Sequence, residues 1–351
     1  MRASPFATDT PAWLASGRIP GLDGLRALAV GLVILSHAHV TRGFPTFKSL
    51  ERATDRLGSV GVDVFFVLSG FLITSLLCRE EAREERISLR AFYLRRVLRI
   101  VPAYACFLLF VALLAASARA DVTARDWLAA GTYTMNFRAA PAWELGHIWS
   151  LSIEEHFYLL WPPVMAMLPR RTASLGVLGV LLVEPVLRWS ILVASPAHVA
   201  ATELWTFTRL DSIAAGCMLA LLSRSPAGRR ALDAAARYWP VALGALGLAV
   251  GGSVLSGKLH VGVAPTVIAV TVAVLVWAVV RYEPRTLETR VLVALGVGSY
   301  SLYLWQEVFL NPRRSDWWTT FPQNLVLTGM CAAVSYHFVE LPFMKLRSRS
   351  L

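Results

Sequence analysis

Uninterrupted apolar runs, each about one bilayer thickness long, recur between residues 20 and 341. Ten stretches stand out, at about 20–40, 58–78, 97–118, 147–168, 173–194, 204–222, 239–255, 263–280, 291–310 and 322–341. Roughly 20 apolar residues at ~1.5 Å rise cover a hydrocarbon core, so each run predicts a helical span. The runs are continuous rather than alternating, which excludes a β-barrel. The expected fold is an all-α polytopic membrane protein of about ten transmembrane helices. No soluble domain is expected, because the longest connections, 41–57, 79–96 and 119–146, are too small for a core of their own. The domain reading is a polar N-terminal tail over 1–18, a transmembrane domain over 19–345 and a tail over 346–351. Within one connection, Asp126–Phe137 is apolar but short and reads as a re-entrant or interfacial helix.

Charge sets the orientation. With the N-terminus inside, the inner loops and tails hold 21 Lys and Arg and the outer loops hold 10, so both termini are expected in the cytoplasm. The net charge of +11 therefore marks membrane orientation and contact with the lipid bilayer, not a nucleic-acid partner. Mean hydropathy is +0.55. The four cysteines, Cys78, Cys106, Cys217 and Cys331, lie in or beside separate apolar segments without metal or redox spacing, and are expected to be reduced and structural. A cleaved signal peptide is not expected, since the first apolar run is too long and too polar within.

That first run, GLDGLRALAVGLVILSHAHV, carries Asp23, Arg26, His37 and His39 where an anchor would carry Leu. An ionisable residue in mid-span costs roughly 2.5–3.5 kcal/mol on insertion scales. Arg26 and His37 are eleven residues apart. Eleven helical steps of ~100° place both on one face, ~16 Å apart along the axis. One face thus offers a cation and a titratable imidazole, read as a reaction or proton-handling face. The second span, GSVGVDVFFVLSGFLIT, contains Asp63, which needs a partner, among small residues that allow close helix packing.

The pair of segments GLDGLRALAV…SH and GVDVFFVLSGFLIT resembles the bacterial integral-membrane acyltransferase family 3, which includes O-antigen, exopolysaccharide and macrolide O-acyltransferases. YLRRVLRIVPAY, with Arg96 and Arg99, is similar to the family's RxxR element. HIWSLSIEEHFYLLWP resembles its WSL-x-x-E signature and singles out Glu154; His147, Ser150, Glu154, Tyr158 and Trp161 share a helical face there. TRLDSIAAG, with Arg209 and Asp211, and SYSLYLWQEVFL, with Tyr300, Tyr303 and Glu307 on one face, extend the likeness. FVELPF near the C-terminus also fits. Relatives often carry His after Trp305, where this chain has Gln306. Glu184 and Arg188, spaced i,i+4, read as a structural pair.

The resemblance implies a bacterial inner-membrane O-acyltransferase. Its donor would be cytoplasmic acyl-CoA, used as a co-substrate and most simply acetyl-CoA, with no tightly bound cofactor and no metal. Its acceptor would be a hydroxyl of a glycan, glycolipid or lipid-linked molecule, as in polysaccharide O-acetylation. His37 is the expected general base or covalent acyl carrier, because an imidazole near pH 6.5 can take a hydroxyl proton. Asp63 or Glu154 is expected to orient it. Arg96 and Arg99 suit a bidentate grip on CoA phosphates, and Arg26 suits CoA or oxyanion binding. The other binding candidates are Ser69, Trp149, Ser150, Tyr158, Arg209, Asp211, Tyr300 and Tyr303. The competing reading is a proton-coupled transporter or flippase, which also uses buried charges. It lacks a visible inverted repeat or matched Gly/Pro breaks in the two halves.

Overall fold

The computed structural model describes residues 19–45, 51–251 and 261–349. The expected tail over 1–18 lies outside the described residues. Those described are helical, with no strand among them. In chain order the helices are α1 (Pro20–Ala38), α2 (Glu51–Glu84), α3 (Leu89–Ala116), α4 (Ala124–Gly131), α5 (Trp143–Gly146), α6 (Ile148–Met167), α7 (Arg170–Ala194), α8 (Asp211–Leu222), α9 (Pro226–Ala236), α10 (Trp239–Gly251), α11 (Ala264–Tyr282), α12 (Arg290–Val297), α13 (Ser299–Phe309), α14 (Gln323–Val334) and α15 (Leu341–Arg349). A π-helical turn, Ser335–Glu340, joins the last two.

Six segments among the described residues are long and apolar enough to cross a membrane: Pro20–Ala38, Arg56–Glu84, Leu89–Ala116, Arg170–Ala194, Ala264–Tyr282 and Gln323–Leu346. The molecule is a helical membrane protein; these six helices meet the length and composition of a span, and the count of about ten is not confirmed. The reasons are local. The run at 204–222 forms a helix only over its last 12 residues, ~18 Å of rise. The run at 291–310 breaks at Gly298 into α12 and α13. The run at 147–168 makes one helix, but Glu154, Glu155 and His156 sit in its middle. The run at 239–255 is helical to Gly251, and its end lies outside the described residues.

The chain divides into two compact units. The first comprises residues up to Ala29, Val60–Ile87 and Phe157–Gly296. Its core is apolar, with Val67, Phe71, Leu219, Ala269, Val276 and Trp277 buried together. Gly70 faces the Ile213 carbonyl and Gly216 faces the Val67 carbonyl so closely that a Cβ at either would collide with backbone. This is small-residue packing of α2 against α8, where close backbones supply the van der Waals attraction that a lipid solvent does not.

The second unit comprises Val30–Ser59, Ser88–His156 and Val297–Leu351. Ser88 caps α3 by accepting a hydrogen bond from the Ala91 amide. Thr123 and Asp126 form a reciprocal capping box on α4. The apolar stretch expected to be interfacial is this short helix followed by a 3₁₀ turn, Met135–Phe137. Arg138 closes the segment on Asp126 at 3.0 Å. The Tyr104 hydroxyl donates to the Ala130 carbonyl, tying α3 to α4. Phe107, Leu145, Ile148 and Leu304 are buried without measurable exposure.

Candidate active site

His37 lies in the last turn of α1, in the second unit, with its side chain one quarter exposed. Its Nδ1–H donates to the Gln306 Oε1 carbonyl at 2.9 Å. A carbonyl oxygen accepts only, so an Nδ1–H fits this bond. Nε2 stands 3.4 Å from Glu307 Oε1. The Trp143 ring packs edge-on to the imidazole with centroids 6.0 Å apart.

Glu307 is held from the other side. Its Oε2 accepts from the backbone N–H of His147 at 3.0 Å and from His147 Nδ1 at 3.1 Å. The remaining ring nitrogen, Nε2, points at the Leu304 carbonyl at 3.1 Å. Both nitrogens of His147 therefore face oxygens that accept. Gly146 leaves the room: a Cβ there would stand 3.3 Å from Glu307 Oε2. Tyr303 donates to the His147 carbonyl at 3.0 Å and touches the Ser150 hydroxyl. Asn311 donates to Glu144 at 3.0 Å, fixing the chain just after α13 to α5. The arrangement can withdraw a proton at His37 Nε2 and stabilise the resulting cation with Glu307, while His147 fixes the carboxylate.

The expected site residues fall into two groups. In the second unit, α13 brings Tyr303 and Glu307 to α5 and α6, where Ser150 lies, and to His37. Tyr300 donates instead to the Ile100 carbonyl at 3.1 Å. Arg96 stacks over Phe92, 5.6 Å from the ring centroid, and lies within electrostatic reach of Glu155. Glu154, the position the motif singled out, is half-buried, as are Trp149 and Arg99. The carboxylate against His37 is thus Glu307. Sequence reasoning named Glu307 and His147 only as members of helical faces. Their signal was an intramembrane carboxylate and an imidazole that each demanded a partner.

In the first unit, Asp63 pairs with Arg209 at 3.1 Å and accepts from Ser212 at 2.8 Å. It is therefore an ion-pair partner of an Arg outside its own helix. Asp211 binds Arg188 at 2.9 Å and Thr266 at 2.8 Å. Arg188, only 1% exposed, also reaches Glu184 and the Gly262 and Thr208 carbonyls. The i,i+4 pair read from the sequence is therefore part of a larger buried clasp. Tyr158 donates to Ser69 at 3.2 Å, and Arg26 stands 3.8 Å from Asp23.

A helical membrane protein whose second unit holds an imidazole between an amide and a carboxylate fits a family of membrane acyl-transfer proteins. Residues 19–339 match the acyltransferase domain family, and the chain belongs to it. Among characterised relatives it is similar to the O-acetyltransferase OatA of Staphylococcus aureus (strain NCTC 8325 / PS 47), at 29% identity over 93% of this chain and 57% of that protein. It is equally similar to the putative O-acetyltransferase SACOL0978 of Staphylococcus aureus (strain COL), at 29% identity with the same coverage. The chain thus spans little more than half the length of these relatives. No solved structure matches it.

Proposed function

We propose that the protein is an O-acyltransferase of the bacterial inner membrane that moves an acetyl group from acetyl-CoA to a hydroxyl of a glycan or lipid-linked acceptor. The observation that carries this reading is His37, which meets Gln306 at Nδ1 and Glu307 at Nε2. A thioester is already activated, so the protein must position both substrates, remove a hydroxyl proton and stabilise an oxyanion. His37 Nε2 takes the acceptor proton, and Glu307 lowers the energy of the imidazolium. Arg96 and Arg99 grip CoA phosphates at the cytoplasmic face, where guanidiniums bind phosphate oxygens in pairs. The O-acetyltransferase names of the relatives support acetyl as the group moved and a hydroxyl as its acceptor.

The test is release of CoA from acetyl-CoA by purified protein supplied with a lipid and glycan extract of the host, wild type beside His37→Ala. Loss of at least ~10²-fold in the variant is expected for removal of a general base. Wild-type turnover by His37→Ala would remove His37 from the chemistry. In calorimetry, Arg96→Ala with Arg99→Ala should weaken CoA binding; unchanged affinity would reduce the pair to an orientation signal.

A further inference from the structure

Two N–H donors beside His37 have no acceptor among the described residues. Gln306 is completely buried; its Oε1 is used by His37, but its Nε2 has no hydrogen-bond partner. The indole Nε1–H of Trp143, whose ring abuts His37, is likewise buried without a partner. Buried N–H groups are almost always paired, because an unpaired one keeps its full desolvation penalty. A position that needed only shape would take Leu or Met at 306 and Phe at 143. The Arg313 guanidinium sits over the Trp143 ring, 5.5 Å from its centroid, adding positive charge nearby. Donors gathered without acceptors, under a cation and beside a base, are complementary to an oxygen that becomes negative only during reaction.

We propose that Gln306 Nε2–H and Trp143 Nε1–H form the oxyanion-stabilising pair of the acyl transfer. This rests on His37 acting as the base. In the step, the acceptor hydroxyl loses its proton to His37 Nε2 as its oxygen bonds to the thioester carbon. The carbonyl π pair moves onto the carbonyl oxygen, which accepts from Gln306 and Trp143. Collapse restores the C=O bond and breaks the C–S bond. The CoA thiolate then takes the proton from His37, giving an ester and free CoA. The Gln that stands where relatives often carry His is, on this account, an uncharged donor whose strength does not vary with pH.

The experiment compares wild type, Trp143→Phe, Gln306→Met and His37→Ala for kcat and KM with acetyl-CoA and for thermal midpoint in detergent. Trp143→Phe keeps the ring and its contacts with His37 and Arg313 but deletes the N–H. The expected result is a ~10²–10³-fold fall in kcat for each of the first two variants, KM for acetyl-CoA within about threefold, and a midpoint equal to or above wild type. The unusual sign follows from deleting a buried donor that has no hydrogen bond to lose. Wild-type kcat in Trp143→Phe overturns the proposal. So does unfolding of either variant, which would show that the donor is a structural one. If His37→Ala also turns over at the wild-type rate, the base assignment falls; if His37→Ala is inactive while Trp143→Phe is normal, only the oxyanion pair falls.

Discussion

At the scale of single residues, the proposed chemistry depends on how two imidazoles are wired. His37 meets a neutral amide at Nδ1 and a carboxylate at Nε2. His147 donates to a carboxylate and a carbonyl, so it is used up in holding Glu307. The two should respond differently to substitution. Glu307→Gln keeps the shape but removes the charge that stabilises imidazolium His37. It should lower kcat by ~10–10³-fold while leaving KM for acetyl-CoA nearly unchanged. Steady-state kinetics over a range of acetyl-CoA decide this, and an altered KM with normal kcat would move Glu307 to substrate binding. Arg188 is a different kind of residue. It is 1% exposed and contacts Glu184, Asp211, Thr266 and two backbone carbonyls. Arg188→Met strands those acids, and a loss of about 3–5 kcal/mol is expected in denaturant titration in detergent. A stable, fully folded Arg188→Met protein would show that the clasp is dispensable.

Among the elements, the segment around α4 is the one whose stability should follow pH. Burial pushes the Asp126 carboxyl up, but hydrogen bonds from the Thr123 hydroxyl and amide and from Arg138 outweigh it and hold Asp126 below the usual carboxylate range. A folded-state value below the unfolded one means the stabilisation is complete above about pH 4. It is lost as pH falls through the lower folded value. Wild type should therefore lose more thermal stability than Asp126→Asn between pH 6 and pH 3, and parallel melting curves would contradict this. The α2–α8 contact makes a different demand. Because Gly70 and Gly216 face backbone carbonyls, Gly216→Val must separate the helices and should abolish recovery of monodisperse protein in detergent. Size-exclusion profiles identical to wild type would refute the close packing.

For the whole molecule, the bias of Lys and Arg predicts which face each loop occupies. In a cysteine-free background, Glu85→Cys should react with an impermeant maleimide only from the cytoplasmic side, and Ala140→Cys only from the outside. Both positions are exposed, so reversed labelling would invert the topology. Hydropathy alone was enough to read an all-helical membrane protein, because every spanning segment must satisfy its own backbone and hide it in apolar side chains. Motif spacing singled out His37, Ser150 and Tyr303, which the structure places in the same unit. The number of spans was less legible: apolar runs at 204–222 and 291–310 do not reveal that one is helical over only 12 residues and the other breaks at Gly298. Beyond the i,i+4 pair Glu184 and Arg188, partners were not legible. An intramembrane Asp63 demands a cation, but the sequence does not say that Arg209 supplies it, 146 positions away. Nor does it say that Glu307 meets both His37 and His147. Local sequence thus determined which groups had to be paired, since an ionisable group in a low-dielectric span cannot stand alone. Only the tertiary structure decided which carboxylate serves which imidazole, because that choice depends on which helix faces pack together.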